Sequence, residues 1–377
     1  MASLGSRQNH SVRRIIVSGY YGFRNSGDEA VLKSILIALR EAGEAQGVTI
    51  HPVVLSGDPA WTTKMYGCEA VPRMSPSVLL SEIRRCDGLI SGGGSLLQDA
   101  TGWKSVPYYT GVLKLAQLLG KPTFIYAQGI GPIHRRWLFA PIRSVMKRSR
   151  YVSVRDETSA ALLASMGLPR ERIEVVPDPV MGLPLPDAPA PVAGGAGLPV
   201  VGVSLRHWRK DGADLERYAS ALAELARRRA VCLRFLPFHT PDDHEASSIV
   251  MKRLEELGTG ESRIELASPG DDPQQMLLEV SRCDMLFGMR LHALIYSANQ
   301  RVPMLGLSYD PKIDAFLNRL GLTAIGTTEQ LNPKLFADQA EALLDDPEDW
   351  RTKHRDAIDK LKRESQHPAQ QIAALLR

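Results

Sequence analysis

Gly22 and Gly27 in the stretch GFRNSGDEA, residues 22–30, have four residues between them, the spacing of a phosphate loop. Such a loop continues with a lysine and a hydroxyl, because its ligand is anionic. Here Asp28 and Glu29 follow, and carboxylates repel phosphate. This argues against ATP or GTP hydrolysis. Glycines at 19, 22 and 27 also miss the G-x-G-x-x-G spacing of a dinucleotide turn. The plain account is a strand-to-helix turn whose acids complement the helix dipole, with Glu29 as an ordinary helix-start residue. That account does not require Tyr20, Tyr21, Arg24 and Asn25 to crowd the same strand exit. Their mixture suits a sugar, whose ring stacks on aromatics and whose hydroxyls bond to carboxylates and amides. Asp28 is then placed to orient a hydroxyl or take its proton.

Two more glycine-rich exits follow. SGGGSLLQD, residues 91–99, lets a ligand approach the backbone and offers Ser95, Gln98 and Asp99. AQGIGP, residues 127–132, adds Gln128. In the second half the chemistry changes sign. SLRHWRKD places Arg206, His207, Arg209 and Lys210 directly after a strand. GMRLHALIYSA places Arg290 and His292 at a helix start, and SYDPKIDAF adds Lys312. Guanidinium groups beside a helix N-terminus suit a small, multiply charged anion. A lone histidine at a helix start is often structural; the neighbouring Arg290 favours a functional role here. His239, Asp242, Asp243 and His244 share the segment PFHTPDDHE. A loop position and the capping habit of aspartate argue against a metal there, and no metal is expected.

The elements that hold these residues alternate. RIIVSGY, VTIHPVVLSGD, GLISGGG, KPTFIYAQGIGP and YVSV are strands, with helical apolar spacing between them. PLPDAPAPVAGGAGLP, residues 184–199, interrupts the pattern as a linker. VVGVSLR, AVCLRFLPFH, DMLFGM and VPMLGLSY resume it. The expected fold is α/β, with two doubly wound, Rossmann-like domains at 14–183 and 200–345. A flexible leader, 1–13, and a charged helical tail, 346–377, flank them. A short repeat supports the pairing: Arg85-Cys86-Asp87 and Arg282-Cys283-Asp284 each precede a buried strand. In that register Gly93-Gly94-Ser95 correspond to Arg290-Leu291-His292, at carboxyl strand ends where open α/β sheets bind ligands.

Composition sets the outer limits. The chain has 377 residues, 44% hydrophobic and 23% charged, which excludes disordered and fibrous classes. A net charge of +4 is too mild to imply nucleic acid. One segment, residues 134–150, holds six Lys or Arg and no acid. It is either a solvated helix face or a contact for an anionic membrane or polyanionic substrate. Cys68, Cys86, Cys232 and Cys283 form no C-x-x-C pair, so reduced thiols in a cytoplasm are expected. No apolar run is long enough to span a membrane, and the first residues lack a signal-peptide core.

Taken in order, GYYGFRNSGDEAVL, GGGSLLQD, QGIGP, SVRDETS, VPDPV, SLRHW and GMRLHALIYSANQRVPMLGLSYDPKIDAF resemble the polysaccharide pyruvyltransferase family over nearly the whole chain. The nearest likeness is to its bacterial cell-surface-anchoring branch, which modifies secondary cell-wall polymers for surface-layer (S-layer) attachment. The resemblance implies a glycosyltransferase-B-like architecture, two Rossmann-like domains facing a cleft. It implies phosphoenolpyruvate as donor and co-substrate, with no further cofactor. The implied acceptor is an N-acetylmannosamine residue on a lipid-linked precursor, and the product a 4,6-linked pyruvate ketal. The family's donor motifs fall on Arg206, Arg290, Leu291 and His292. The residue chemistry agrees: Arg206 and Arg290 as clamps, Lys312 as a secondary phosphate contact, His292 as general acid, or as acid then base. Acceptor contacts are expected from Tyr20, Tyr21, Arg24, Asn25, Ser95, Gln98, Asp99 and Gln128. The enzyme would work in the cytoplasm, peripherally at the inner membrane face. A nucleotide-sugar glycosyltransferase of the same fold, or a non-catalytic saccharide-binding protein, are the alternatives.

Overall fold

A computed structural model of the chain describes residues 11–100, 102–186 and 197–377. It forms two compact units. The first holds the residues up to Arg24, Asp28–Gly182 and Arg363–Arg377; the second holds Asn25–Gly27 and Leu183–Lys362.

In the first unit, β1 (Ser11–Tyr21) leads into α1 (Ser26–Gln46), then β2 (Val48–Ser56), α2 (Pro59–Tyr66) and β3 (Glu69–Pro72). Next come α3 (Pro76–Arg85), β4 (Gly88–Gly92), α4 (Ser105–Leu118), β5 (Thr123–Gln128), α5 (Phe139–Arg148), β6 (Tyr151–Val154), α6 (Glu157–Ser165) and β7 (Glu174–Val175). The strands form one parallel sheet in the order β3-β2-β1-β4-β5-β6-β7. Ile15, Ile16 and Val17 of β1 are fully buried, as expected of a central strand covered on both faces. The chain reverses direction of growth between β1 and β4. Ligands of open α/β sheets bind at such a switch point, outside the carboxyl strand ends. The glycine loop leaves β1 there, and the 91–99 segment leaves β4 beside it.

The second unit repeats the plan. β8 (Val200–Ser204), α7 (Ala213–Arg228), β9 (Cys232–Phe235), α8 (Asp242–Leu257), β10 (Arg263–Leu266), α9 (Pro273–Ser281) and β11 (Met285–Gly288) follow in order. Then come α10 (Leu291–Asn299), β12 (Met304–Ser308), α11 (Pro311–Arg319), β13 (Gly326–Thr327) and α12 (Pro333–Asp345). The parallel sheet runs β10-β9-β8-β11-β12-β13, over a core that includes Tyr218, Phe235, Phe287 and Phe336. Its switch point lies between β8 and β11, where Arg206 and Arg290 emerge.

The internal repeat has a physical basis. Asp87 exchanges backbone and side-chain bonds with Arg14, its Oδ2 accepting from Arg14 N at 2.7 Å. Asp284 does the same to Val200, also at 2.7 Å. Each aspartate therefore docks the inner strand of its unit onto the first one. Cys86 and Cys283 beside them are buried, and all four thiols are free.

Two boundaries differ from expectation, and a third falls mostly outside the described residues. β1 begins at Ser11, inside the segment 1–13 expected as a leader; residues 1–10 lie outside the described residues. Most of the expected linker, 187–196, also lies outside them. The C-terminal residues are not one separate tail. α13 (Pro347–Ser365) begins in the second unit, and α14 (His367–Leu375) belongs to the first. There Arg13 donates to Leu376 O at 2.7 Å.

Candidate active site

The glycine loop of the first unit cradles its own glutamate. Glu29 is fully buried, and its Oε1 accepts from the N–H groups of Gly22, Phe23 and Arg24 at 2.9, 3.2 and 3.2 Å. Oε2 accepts from Tyr66 Oη at 2.7 Å. This is the anion nest of a phosphate loop, filled from within by a carboxylate. Burial raises the Glu29 pKa; the Tyr66 hydroxyl and the three N–H donors oppose the rise. Glu29 is thus a loop anchor, not the plain helix-start residue expected from its position. Gly22 is required here: its φ is +78°, and a Cβ would stand 2.7 Å from Asp58 N.

With Glu29 spent on the loop, Asp28 is the acid left at the helix start. It is half-buried, and the Gly94 backbone lies against it: a Cβ at Gly94 would be 2.8 Å from Asp28 Oδ1. Ser95, one residue on, accepts from Arg155 Nη2 at 2.8 Å. Arg155 also pairs with buried Asp178 at 3.6 Å. Sequence reasoning missed Arg155 and Asp178 as single residues, although both stand in quoted motifs.

An aromatic platform borders this edge. Tyr20 and Phe23 stack at 4.1 Å with their outer faces exposed. Beneath them the Arg73 guanidinium, buried at the end of β3, also meets Tyr108 and Tyr109, at 4.6 and 5.4 Å from the ring centres. Arg73, Phe23 and Tyr108 were not among the expected contacts. Each lies in a separate sequence segment, and only the sheet brings them together.

Other expected acceptor contacts are built into the protein itself. Tyr21 is buried with its hydroxyl on Gly92 O at 2.8 Å, so it supports the rim from below. Gln128 is fully buried and accepts from Ser91 at 3.2 Å. The Asp99 carboxylate accepts from the backbone N–H groups of His134 and Arg135 at 2.8 and 2.9 Å, which anchors that loop. Gln98 accepts from Ala100 N at 2.7 Å, and Asn25 from Gly27 N at 3.1 Å, both as local turns. Arg24 is exposed, faces Asp58 at 3.7 Å and adopts a positive φ of 57°.

In the second unit the expected cations do converge. Arg206 and Arg290 line one cavity of about 260 Å³ with His207, Asp242, Glu245, Ala246 and Ile249. Arg290 caps α10, and its guanidinium is held by Asp243, with Nε 2.9 Å from Oδ2 and a second bond from Nη2 to Oδ1. Asp243 is itself fully buried and accepts from His239 N at 3.0 Å. Burial raises its pKa, and the Arg290 bond opposes the rise. The acidic segment read as a capped loop is therefore the first turn of α8, and it positions an arginine. Arg206 is held differently. It lies 5.1 Å from Trp208 and 5.4 Å from Tyr309, and donates to the Tyr309 hydroxyl at 3.3 Å. Among the described residues no carboxylate pairs with it, and its buried Nε has no partner.

Leu291 is buried, so its contribution to a ligand would be its backbone N–H. Lys312 does not line the cavity; its ammonium lies 3.2 Å from Asp310, the cap of α11. His292 stands in the first turn of α10. Within this unit the Gly27 backbone packs on its imidazole, and a Cβ at Gly27 would collide with Nδ1.

The fold defines the class first. The chain is similar to Anabaena HepE solved with UDP and glucose, at 13% identity and TM-score 0.62, over 97% of this chain and 99% of that one. It is similar to the UDP-GlcNAc 2-epimerase of Methanocaldococcus jannaschii, at 11% identity and TM-score 0.63, over 97% and 99%. A mutant O-GlcNAc transferase of Thermobaculum terrenum matches at 19% and TM-score 0.54, over 98% and 68%. These identities show the fold alone, that of glycosyltransferase-B-like transferases and epimerases. No curated protein matches the sequence. The model of the polysaccharide pyruvyl transferase family matches residues 25–311, and the chain belongs to that family. It is thus a transferase of pyruvyl groups to polysaccharide. No helix among the described residues is long and apolar enough to cross a membrane.

Proposed function

We propose that this enzyme transfers a pyruvyl group from phosphoenolpyruvate to an N-acetylmannosamine residue of a lipid-linked secondary cell-wall polymer precursor. The product is a 4,6-linked ketal, and phosphate is released. The observation that carries the donor reading is the pair Arg206 and Arg290 on one small cavity. Phosphoenolpyruvate bears a carboxylate and a phosphate, and guanidinium forks bind both. Arg206, without a carboxylate partner among the described residues, retains a charge for such an anion.

The roles follow from the atoms that change. The enol carbon C3 gains a proton, for which His292 is the donor. A sugar hydroxyl adds to C2, and phosphate leaves with help from the arginines. The second hydroxyl then closes the ketal. Of the two hydroxyl protons, one balances the C3 methyl and the other departs with phosphate. Asp28 orients the attacking hydroxyl or takes its proton. Tyr20 and Ser95 belong to the acceptor side in this reading. No metal or further cofactor takes part, and the reaction runs at the cytoplasmic face of the membrane.

The test is phosphate release from phosphoenolpyruvate, measured with and without an N-acetylmannosamine-terminated acceptor. Release that requires both supports the reading. Sugar transfer from a nucleotide sugar, with phosphoenolpyruvate inert, would replace it with a glycosyltransferase.

A further inference from the structure

Between Asp99 and Asp156 the chain carries ten Lys or Arg and no acid. Both α4 and α5 fall inside this span. α5 is amphipathic in an unusual way. Ile142, Val145 and Met146 point into the core of the first unit, with Leu138 from the preceding turn. Arg143 and Lys147, four residues apart, share the outer face of α5, and Arg136 stands in the turn that precedes the helix; all three are exposed. Arg148 and Arg150 extend the exposed charge beyond them. Among the described residues none of these five pairs with a carboxylate. A solvated face of a soluble protein ordinarily mixes signs; this one does not.

Two tryptophans stand at the same end of α5. Trp137 and Trp103 are 56% and 44% exposed, and their rings meet edge to face at 6.0 Å. Asp99 fixes the backbone just before Trp137 through the N–H groups of His134 and Arg135. Exposed tryptophan beside unpaired lysine and arginine is the composition of a membrane-interface surface, with the ring at headgroup depth and the cations on anionic lipid.

We propose that the outer face of α5, with Trp103 and Trp137, docks the first unit on an anionic lipid surface. Its purpose rests on the proposed lipid-linked acceptor; its test does not. The full chain is floated with phosphatidylcholine vesicles, with and without phosphatidylglycerol. Binding is expected only with phosphatidylglycerol, is weakened by salt, and shifts tryptophan fluorescence to the blue. Each surface cation contributes roughly a factor of five, so Arg136→Glu/Arg143→Glu/Lys147→Glu should reduce binding on the order of a hundredfold or more. Trp103→Ser/Trp137→Ser should weaken binding and abolish the blue shift. Circular dichroism melts confirm that both variants fold. Vesicle binding that is absent in the wild type, or undiminished in the triple variant, overturns the proposal. So does binding to heparin with no response to vesicles, which would make the face a polyanion site. Either failure leaves phosphate release from phosphoenolpyruvate unaffected and so bears on the surface alone.

Discussion

The buried carboxylate of Asp243 grips the guanidinium of Arg290 by two bonds, Nε to Oδ2 at 2.9 Å and Nη2 to Oδ1. α8 thus fixes an arginine at the mouth of α10, where a donor anion would lie. Removing one partner of a buried pair costs about 3–5 kcal/mol, because the other is left uncompensated. Asp243→Ala should lose stability of that order in urea unfolding, and phosphoenolpyruvate affinity should fall with it. Unchanged donor binding in a folded Asp243→Ala protein would separate this pair from the donor site.

Arg206 is held by rings and not by a carboxylate, so its charge remains for a ligand. Arg206→Lys keeps the charge but loses the planar fork and the stacking. A charge-assisted hydrogen bond is worth about 1.5–3 kcal/mol. Calorimetric titration should show donor affinity reduced roughly ten- to a hundredfold. Affinity equal to wild type would place the anion elsewhere.

Glu29 gives a pH test. Its folded pKa lies above the ordinary 4.5, because burial outweighs the donors around it. Folding therefore favours the protonated form. The stability Glu29 confers is full below its unfolded pKa and is lost as pH rises through the folded one. Glu29→Gln cannot titrate, so the wild type should compare best with it in acid and worse at neutral pH. Glu29→Ala, which orphans three N–H groups, should cost several kcal/mol at either pH. A wild-type advantage over Gln that grows with pH would contradict this account.

His292→Ala should lower turnover by roughly 10²–10⁴, the usual range for a general acid, with the fold intact. Asp28→Asn should cut turnover strongly while directly measured phosphoenolpyruvate binding stays near wild type. If Asp28→Asn instead weakens donor binding and spares turnover, the glycine loop serves the donor.

Much of the architecture was legible in residue patterns. Alternating apolar runs and helical spacings named two parallel-sheet units, and the Arg-Cys-Asp repeat marked equivalent strands, because Asp87 and Asp284 make the same backbone clasp. The positions of Arg206, Arg290 and His292 at strand ends followed from that. What stayed hidden depends on contacts across the chain. Asp243 looked like a loop acid because its partner lies 47 residues away. Glu29 looked like a dipole complement because its nest exists only once the loop has folded. Arg73 gave no local signal at all; its meaning comes from rings on β1 and α4. Asp99 and Tyr21 were assigned to a ligand on residue type, whereas burial assigns them to the loops that shape the rim.

The most direct measurement is mass spectrometry of an N-acetylmannosaminyl acceptor after incubation with the enzyme and phosphoenolpyruvate. The account predicts a product heavier by one pyruvic acid less one water, formed in step with free phosphate and lost in Arg206→Ala. An acceptor of unchanged mass, or one heavier by a sugar when a nucleotide sugar is supplied instead, would contradict it.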